Sequence, residues 1–209
     1  MEKKEVSAST PEDLDRLDFL RSNLARWYMN WTVDQPLLPL FARMKPASRS
    51  HPLVQQIEGD AHLALGNYQQ AESTYREEFT GPEPHRETLA RMALAQHLAG
   101  NPEGFQRYLK EYASRWETDG MPGPDDWLNE AADLARAGKY IPAAGLLTQF
   151  RFLDPESPIA EDYRMLGYCY LNFRHFDHAR QAFARYLERV PGDPEILDIL
   201  KDDSRLVGP

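Results

Sequence analysis

The chain has 209 residues, 42% of them hydrophobic and 27% charged, which is enough for one or two packed domains. Its 33 acidic residues against 24 basic ones give a net charge of −9. That balance lacks the basic footprint that nucleic acid or an anionic membrane surface requires, and it favours a neutral or basic protein partner. Cys169 is the only cysteine, so no internal disulfide can form, and no run of about 18 apolar residues is present. Residues 1–9 carry charges but no apolar core of signal-peptide length, so a cytoplasmic location is expected.

Residues 1–9 read as a disordered tail. Thr10-Pro11-Glu12-Asp13 reads as a helix start, with a hydroxyl N-cap, proline at the first helical position and acids in the first turn. Leu17, Leu20, Leu24, Trp27 and Trp31 follow at helical spacing and form a continuous apolar stripe. A shorter helix is expected over 36–44, and 45–51 reads as a polar connector. Residues 10–51 are read together as an N-terminal helical cap, with a dimerisation helix carried by the same stripe as the alternative.

Helical hairpins then follow one another. The first spans about 52–85, with Gly59 as the small residue of its first helix, a turn at Gly66-Asn67 and Tyr75 on the inner face of its second helix. Residues 80–84 end it. The second, about 86–119, turns at Gly100-Asn101-Pro102 and carries the stripe Phe105, Tyr108, Leu109 and Tyr112. Residues 116–124 are an insertion rich in Gly, Pro and Asp. The third, about 124–157, contains Trp127, Ala131, Leu134, Gly138, Tyr140, Ala143 and Leu147. The fourth, about 160–193, places Tyr163, Leu166, Gly167 and Tyr170 on one helix and Phe176, Ala179, Phe183 and Tyr186 on the next. A last helix over 194–201 carries Ile196, Leu197, Ile199 and Leu200 and is expected to cover hairpin four. Residues 202–209 read as a frayed tail.

The turn positions Gly66, Gly100, Gly138 and Arg174 are separated by 34, 38 and 36 residues. With the small, aromatic and proline positions around them, they resemble the tetratricopeptide repeat, a helix–turn–helix unit of about 34 residues that stacks into a solenoid. The fold class expected is therefore all-α, a tetratricopeptide-like array over 52–201 with the helical cap before it and a capping helix at its end. The match is strongest in hairpin four and poorest in hairpin two, where Phe105 stands in place of alanine. Glu78, Tyr112, Phe150 and Tyr186 occupy a late second-helix position that the family fills with a small residue.

The resemblance implies a binding surface on the concave side, lined by the first helix of each repeat. Its offsets select Asp60, Leu63, Ala90, Leu94, His97, Leu128, Ala132, Ala135, Arg136, Arg164, Tyr168, Leu171 and Asn172. Such a groove suits an extended or helical peptide, with an acidic group near Arg136 and Arg164. The alternative is that these residues are buried by the cap or by a second copy. The basic clamp that some family members use for chaperone C-termini is missing: its positions hold Leu53, Gln56 and Asp60, then Glu87, Ala90 and Leu94. The last two hairpins, through A-G-K-Y-x-x-A, L-D-P, L-G-Y-C-Y and F-D-H-A, resemble small bacterial tetratricopeptide chaperones of type III secretion. Those proteins hold export substrates soluble in the cytoplasm.

No nucleophile elbow, P-loop, H-E-x-x-H or C-x-x-C is present, and Cys169 reads as a small core residue. His175 and His178 flank Asp177 at a helix start, where the acid suits the helix dipole and two imidazoles fall short of a metal site. The sequence therefore points to a non-catalytic protein-binding module, an adaptor or chaperone without metal or cofactor. The second reading is a scaffolding subunit or homodimer that docks through Leu17, Leu20, Leu24, Trp27 and Trp31.

Overall fold

The computed structural model describes residues 37–78, 86–114 and 124–202. The expected N-terminal helix with its Leu and Trp stripe, the breaker at 80–84, most of the 116–124 insertion and the tail after 202 lie outside the described residues. Among those described, every regular element is an α-helix. α1 (Leu37–Ala42) and α2 (Pro46–Arg49) precede four helix pairs. These are α3 (Pro52–Ala64) with α4 (Tyr68–Glu78), α5 (Arg86–Leu98) with α6 (Pro102–Ser114), α7 (Pro124–Arg136) with α8 (Tyr140–Leu153), and α9 (Glu161–Asn172) with α10 (Phe176–Leu187). α11 (Pro194–Lys201) follows.

α1 lies on α3, and Phe41, Val54, Ile57 and Ala61 form a small core apart from the main one. The stretch 45–51, expected as a connector, contains the helical turn α2. Pro46 fixes its first φ, and the Lys45 carbonyl accepts from the Ser48 and Arg49 backbone N–H groups at 3.0 Å each. Arg49 then pairs with Glu58 on α3, which ties the turn down.

Each hairpin is built by the same local means. Gly66, Gly100 and Gly138 have φ of 78°, 68° and 75°, and Arg174 takes φ 66° at the equivalent position. A left-handed residue there stops the first helix and reverses the chain, which glycine does without a Cβ penalty. Seven residues before each turn stands a small residue, Gly59, Ala93, Ala131 or Gly167, and sixteen residues after that a large one, Tyr75, Leu109, Leu147 or Phe183. The two meet face to face in the first and last hairpins. A Cβ on Gly59 would lie 2.3 Å from the Tyr75 ring, and one on Gly167 would lie 2.4 Å from the Phe183 ring. The small residue is thus what lets the partner helix approach. The start of α6 is capped by Asn101, whose Oδ1 accepts from the Gly104 N–H at 3.1 Å, with Pro102 next to it.

The hairpins pack in adjacent pairs, and α8 sits at the centre of that packing. It contacts α5, α7 and α9, and residues 141–151 are buried without a break. A helix buried on every side must be apolar all round or satisfy its own polar groups. Ile141, Ala143, Ala144, Leu146, Leu147 and Phe150 are apolar. Thr148 returns its hydroxyl to the Ala144 carbonyl at 2.8 Å, and the Gln149 amide donates to Gly145 O at 3.2 Å. Lys139, just before α8, bonds Glu87 in the first turn of α5, and Gly145 lies on Ala90. α5 and α8 therefore run side by side in the same direction. A Cβ on Gly145 would fall 2.2 Å from the Ala90 carbonyl oxygen, so glycine sets how closely the two backbones approach.

Charged pairs join successive hairpins. Arg91 of α5 donates from Nε to Asp60 Oδ1 on α3 at 3.0 Å, and the Tyr75 hydroxyl donates to the same oxygen at 2.6 Å. Arg151 of α8 meets Asp162 of α9, the Ser157 carbonyl at 3.0 Å and the face of the Tyr163 ring at 3.9 Å. The two ends of the helical array also meet. His175, at the turn of the last hairpin, donates from Nε2 to the Leu63 carbonyl at the end of α3, 3.0 Å away.

Candidate functional site

The residues selected from the sequence divide sharply by burial. Asp60, Leu63, Ala90 and Leu94 are buried. Leu63 and Leu94 belong to the main core, Ala90 lies under Gly145 of α8, and Asp60 is held by Arg91 and Tyr75. These four face the interior in this structure, because α8 and the α9–α10 turn lie where a groove along the first two hairpins would run. In a regular array every first helix faces open solvent, whereas α5 is covered by α8.

The remaining residues reach the surface. On α7, Leu128, Ala132 and Ala135 are half-buried and Arg136 is exposed, paired with Asp133 one turn back. On α9, Arg164, Tyr168, Leu171 and Asn172 are all half-buried, and the Asn172 amide donates to the Tyr168 carbonyl at 2.9 Å. α7 touches α9, so the two helices offer neighbouring apolar faces. Leu128, Ala135, Tyr168 and Leu171 rest on the core beneath.

At one end of the α9 face a carboxylate is already bound. Arg164 Nη2 donates to Glu195 Oε2 of α11 at 2.9 Å, and the Tyr168 hydroxyl donates to Glu195 Oε1. Arg164 Nε lies 3.9 Å from Asp193. Desolvation and the bonded Glu195 push the Tyr168 phenol up to about 12, while Tyr168 and Arg164 hold the Glu195 carboxyl below the usual carboxylate range. The arrangement is a two-point carboxylate grip on a helix face, of which sequence reasoning supplied the two gripping residues but not the carboxylate.

Clefts also lie elsewhere among the described residues. A polar cleft of about 360 Å³ is lined by Gln56, Arg86, Glu87, Glu130 and Lys139. Its two acids face its two cations. Burial opposes the Glu87 charge, but Lys139 and Arg91 outweigh it and hold that carboxyl low. Glu130 is raised by burial. An apolar cleft of about 270 Å³ is lined by His97, Phe105, Thr148, Arg151, Phe152, Tyr163, Leu166 and Tyr170. His97, exposed at its edge, leans on Phe105 with ring centroids 5.6 Å apart. Sequence spacing missed this cleft because its lining comes from four helices.

His175 and His178 stack among Tyr170 and Phe173 with ring centroids 5.1–5.6 Å apart in the closest pairs. Desolvation lowers the pKa of both, and that of His97. Among the described residues, no group of three or more His, Cys, Asp or Glu side chains is placed to hold a metal ion. The Cys169 thiol is buried and pushed up to about 12 by desolvation, so it is protonated at neutral pH and a poor nucleophile. Among the described residues, no helix is long and apolar enough to cross a membrane. No protein-family model matches the chain, and no curated protein matches its sequence.

Proposed function

We propose that this protein is a tetratricopeptide-like repeat protein that binds another protein non-catalytically, through the neighbouring faces of α7 and α9. The observation that carries this reading is the grip of Arg164 and Tyr168 on the Glu195 carboxylate. It supports an acidic group presented on a helix as the partner's chemistry, with Leu171 on the same helix and Leu128 and Ala132 on α7 available for apolar side chains. The similar spacing of the four turns, 34, 38 and 36 residues apart, with a left-handed residue at each, supports the repeat reading. The central place of α8 makes the stack irregular, so the binding surface is confined to the last two hairpins rather than running the length of the array. A narrower role rests on the sequence resemblance alone: a bacterial cytoplasmic chaperone that keeps one exported protein soluble. It predicts that the client aggregates when expressed without this chain.

The test is capture from a native lysate by the wild-type chain and by Arg164→Glu/Tyr168→Ala, after both are shown to melt as folded helical proteins. The reading expects a partner held by wild type and lost by the variant. A partner held equally by both would move the interface elsewhere, in the first place to the apolar stripe of residues 17–31.

A further inference from the structure

α11 meets the rest of the protein as a ligand would. Its N-cap, Asp193, accepts from the backbone N–H groups of Glu195 and Ile196 at 3.0 and 3.3 Å and from the Tyr186 hydroxyl at 2.8 Å. Glu195 takes Arg164 and Tyr168 on its two oxygens. Ile196 and Ile199, three residues apart, are 0% and 4% exposed in the core, while Pro194, Glu195, Asp198 and Lys201 stay at the surface. Polar contacts set the position of the helix, and two apolar anchors follow on one face. A helix of eight residues does not hold itself together in water, so its order depends on the surface beneath it. The ion pair at its head is exposed, where such a contact is weak enough to be exchanged for another carboxylate.

We infer that α11 is an internal ligand, and that the partner is a short amphipathic helix of the same chemistry, which displaces it. That helix carries a carboxylate in its first turn, a large aliphatic residue next to it and another three positions later. The inference rests on the binding role proposed for Arg164 and Tyr168 of α9, and extends that site onto α10, against which α11 packs. A tethered occupant competes at an effective concentration in the millimolar range. The apparent affinity for an outside helix is then lowered by the fraction of molecules in which α11 has left. Loosening α11 should therefore tighten the partner, the opposite of what damage to a binding site does.

The probe is a fluorescein-labelled peptide of residues 192–201, titrated onto the full chain. Ile196→Asp/Ile199→Asp should bind it at least tenfold more tightly than wild type does, and adding Arg164→Glu should remove that gain. In the wild-type chain, amides at 196–201 should exchange hydrogen at least tenfold faster than those at 143–151 in α8, through a separate local opening. Equal exchange in the two segments, or a released variant that binds no more tightly than wild type, overturns the inference. Should the double aspartate variant lose its helical melt, Glu195→Ala keeps both isoleucines and must move exchange and peptide affinity in the same directions. These readouts need no natural partner, so they fail separately from the capture experiment.

Discussion

Gly145→Ala tests the packing that centres the molecule on α8. In an isolated helix this change is favourable, since alanine exceeds glycine by about 1 kcal/mol in a helix interior. Here the new Cβ would stand 2.2 Å from the Ala90 carbonyl oxygen, 2.7 Å from its carbonyl carbon and 3.2 Å from its Cβ. Ordinary contact needs about 3.5 Å, so α5 and α8 must separate by roughly 1 Å. The obstacle is backbone and cannot rotate away. Inserting one carbon into such a contact costs about 1–3 kcal/mol, and the parted faces of both helices lose dispersion contacts as well. Set against the propensity gain of about 1 kcal/mol this leaves about 0–2 kcal/mol, which the lost dispersion contacts bring to a net loss of about 1–2 kcal/mol. At about 2–4 °C per kcal/mol for a chain of this size, Tm should fall by roughly 2–8 °C.

Gly104→Ala is the control. Its backbone gain has the same sign, and its Cβ would meet only the far ends of the Gln96 and Asn101 side chains, so at most the Asn101 cap is loosened, at a cost of about 1 kcal/mol that the gain partly offsets. Both are read by thermal and urea denaturation followed by far-ultraviolet circular dichroism. A Gly145→Ala protein as stable as wild type, or no worse than the Gly104→Ala protein, would refute the close approach of α5 and α8.

Arg91→Ala leaves the buried Asp60 carboxylate without its cation and should cost about 3–5 kcal/mol, whereas Asp60→Leu/Arg91→Met should cost less than the single change; urea melts of the three proteins decide it. Gly138→Ala forces a Cβ into a left-handed turn and should cost about 1–2 kcal/mol, while Arg174→Gly, which relieves the same strain at the equivalent position, should leave stability unchanged or raise it. His97, His175 and His178 all have folded-state pKa values below the ordinary 6.5, so folding favours their neutral forms. The stability that this gives is present above about pH 6.5 and is lost as the pH falls through the folded values. Asp177 partly offsets the effect at His178. The midpoint of urea unfolding should therefore fall between pH 7 and 5, and His175→Gln should flatten that slope.

The hairpins were legible in the sequence because their causes are local. The glycines at 66, 100 and 138 and the small residues at 59 and 167 act within their own hairpins, at fixed distances along the chain. α8 was not legible as the centre. Its run from Ile141 to Phe150 offers apolar side chains in every direction, and periodicity alone cannot say how many sides a neighbour covers. The decisive contacts are also distant in sequence. Arg91 reaches Asp60 across 31 residues, and His175 reaches Leu63 across 112. For that reason Asp60, Leu63 and Leu94 were expected on an open face and lie inside. Arg164 and Tyr168 were legible as surface residues, because hairpin four matches the repeat's residue pattern most closely. Their present occupant, Glu195, lies beyond that hairpin and no spacing rule pairs it with them.

The central claim is that protein binding happens on the α7 and α9 faces. A photo-crosslinking residue placed at Ala132, half-buried on α7, and separately at Lys110, exposed on α6, tests it at single-residue resolution. Irradiation in the presence of the captured partner should give a crosslinked band from position 132 and none from position 110. Crosslinking from 110 alone would contradict the account and place the partner on the outer helices of the hairpins.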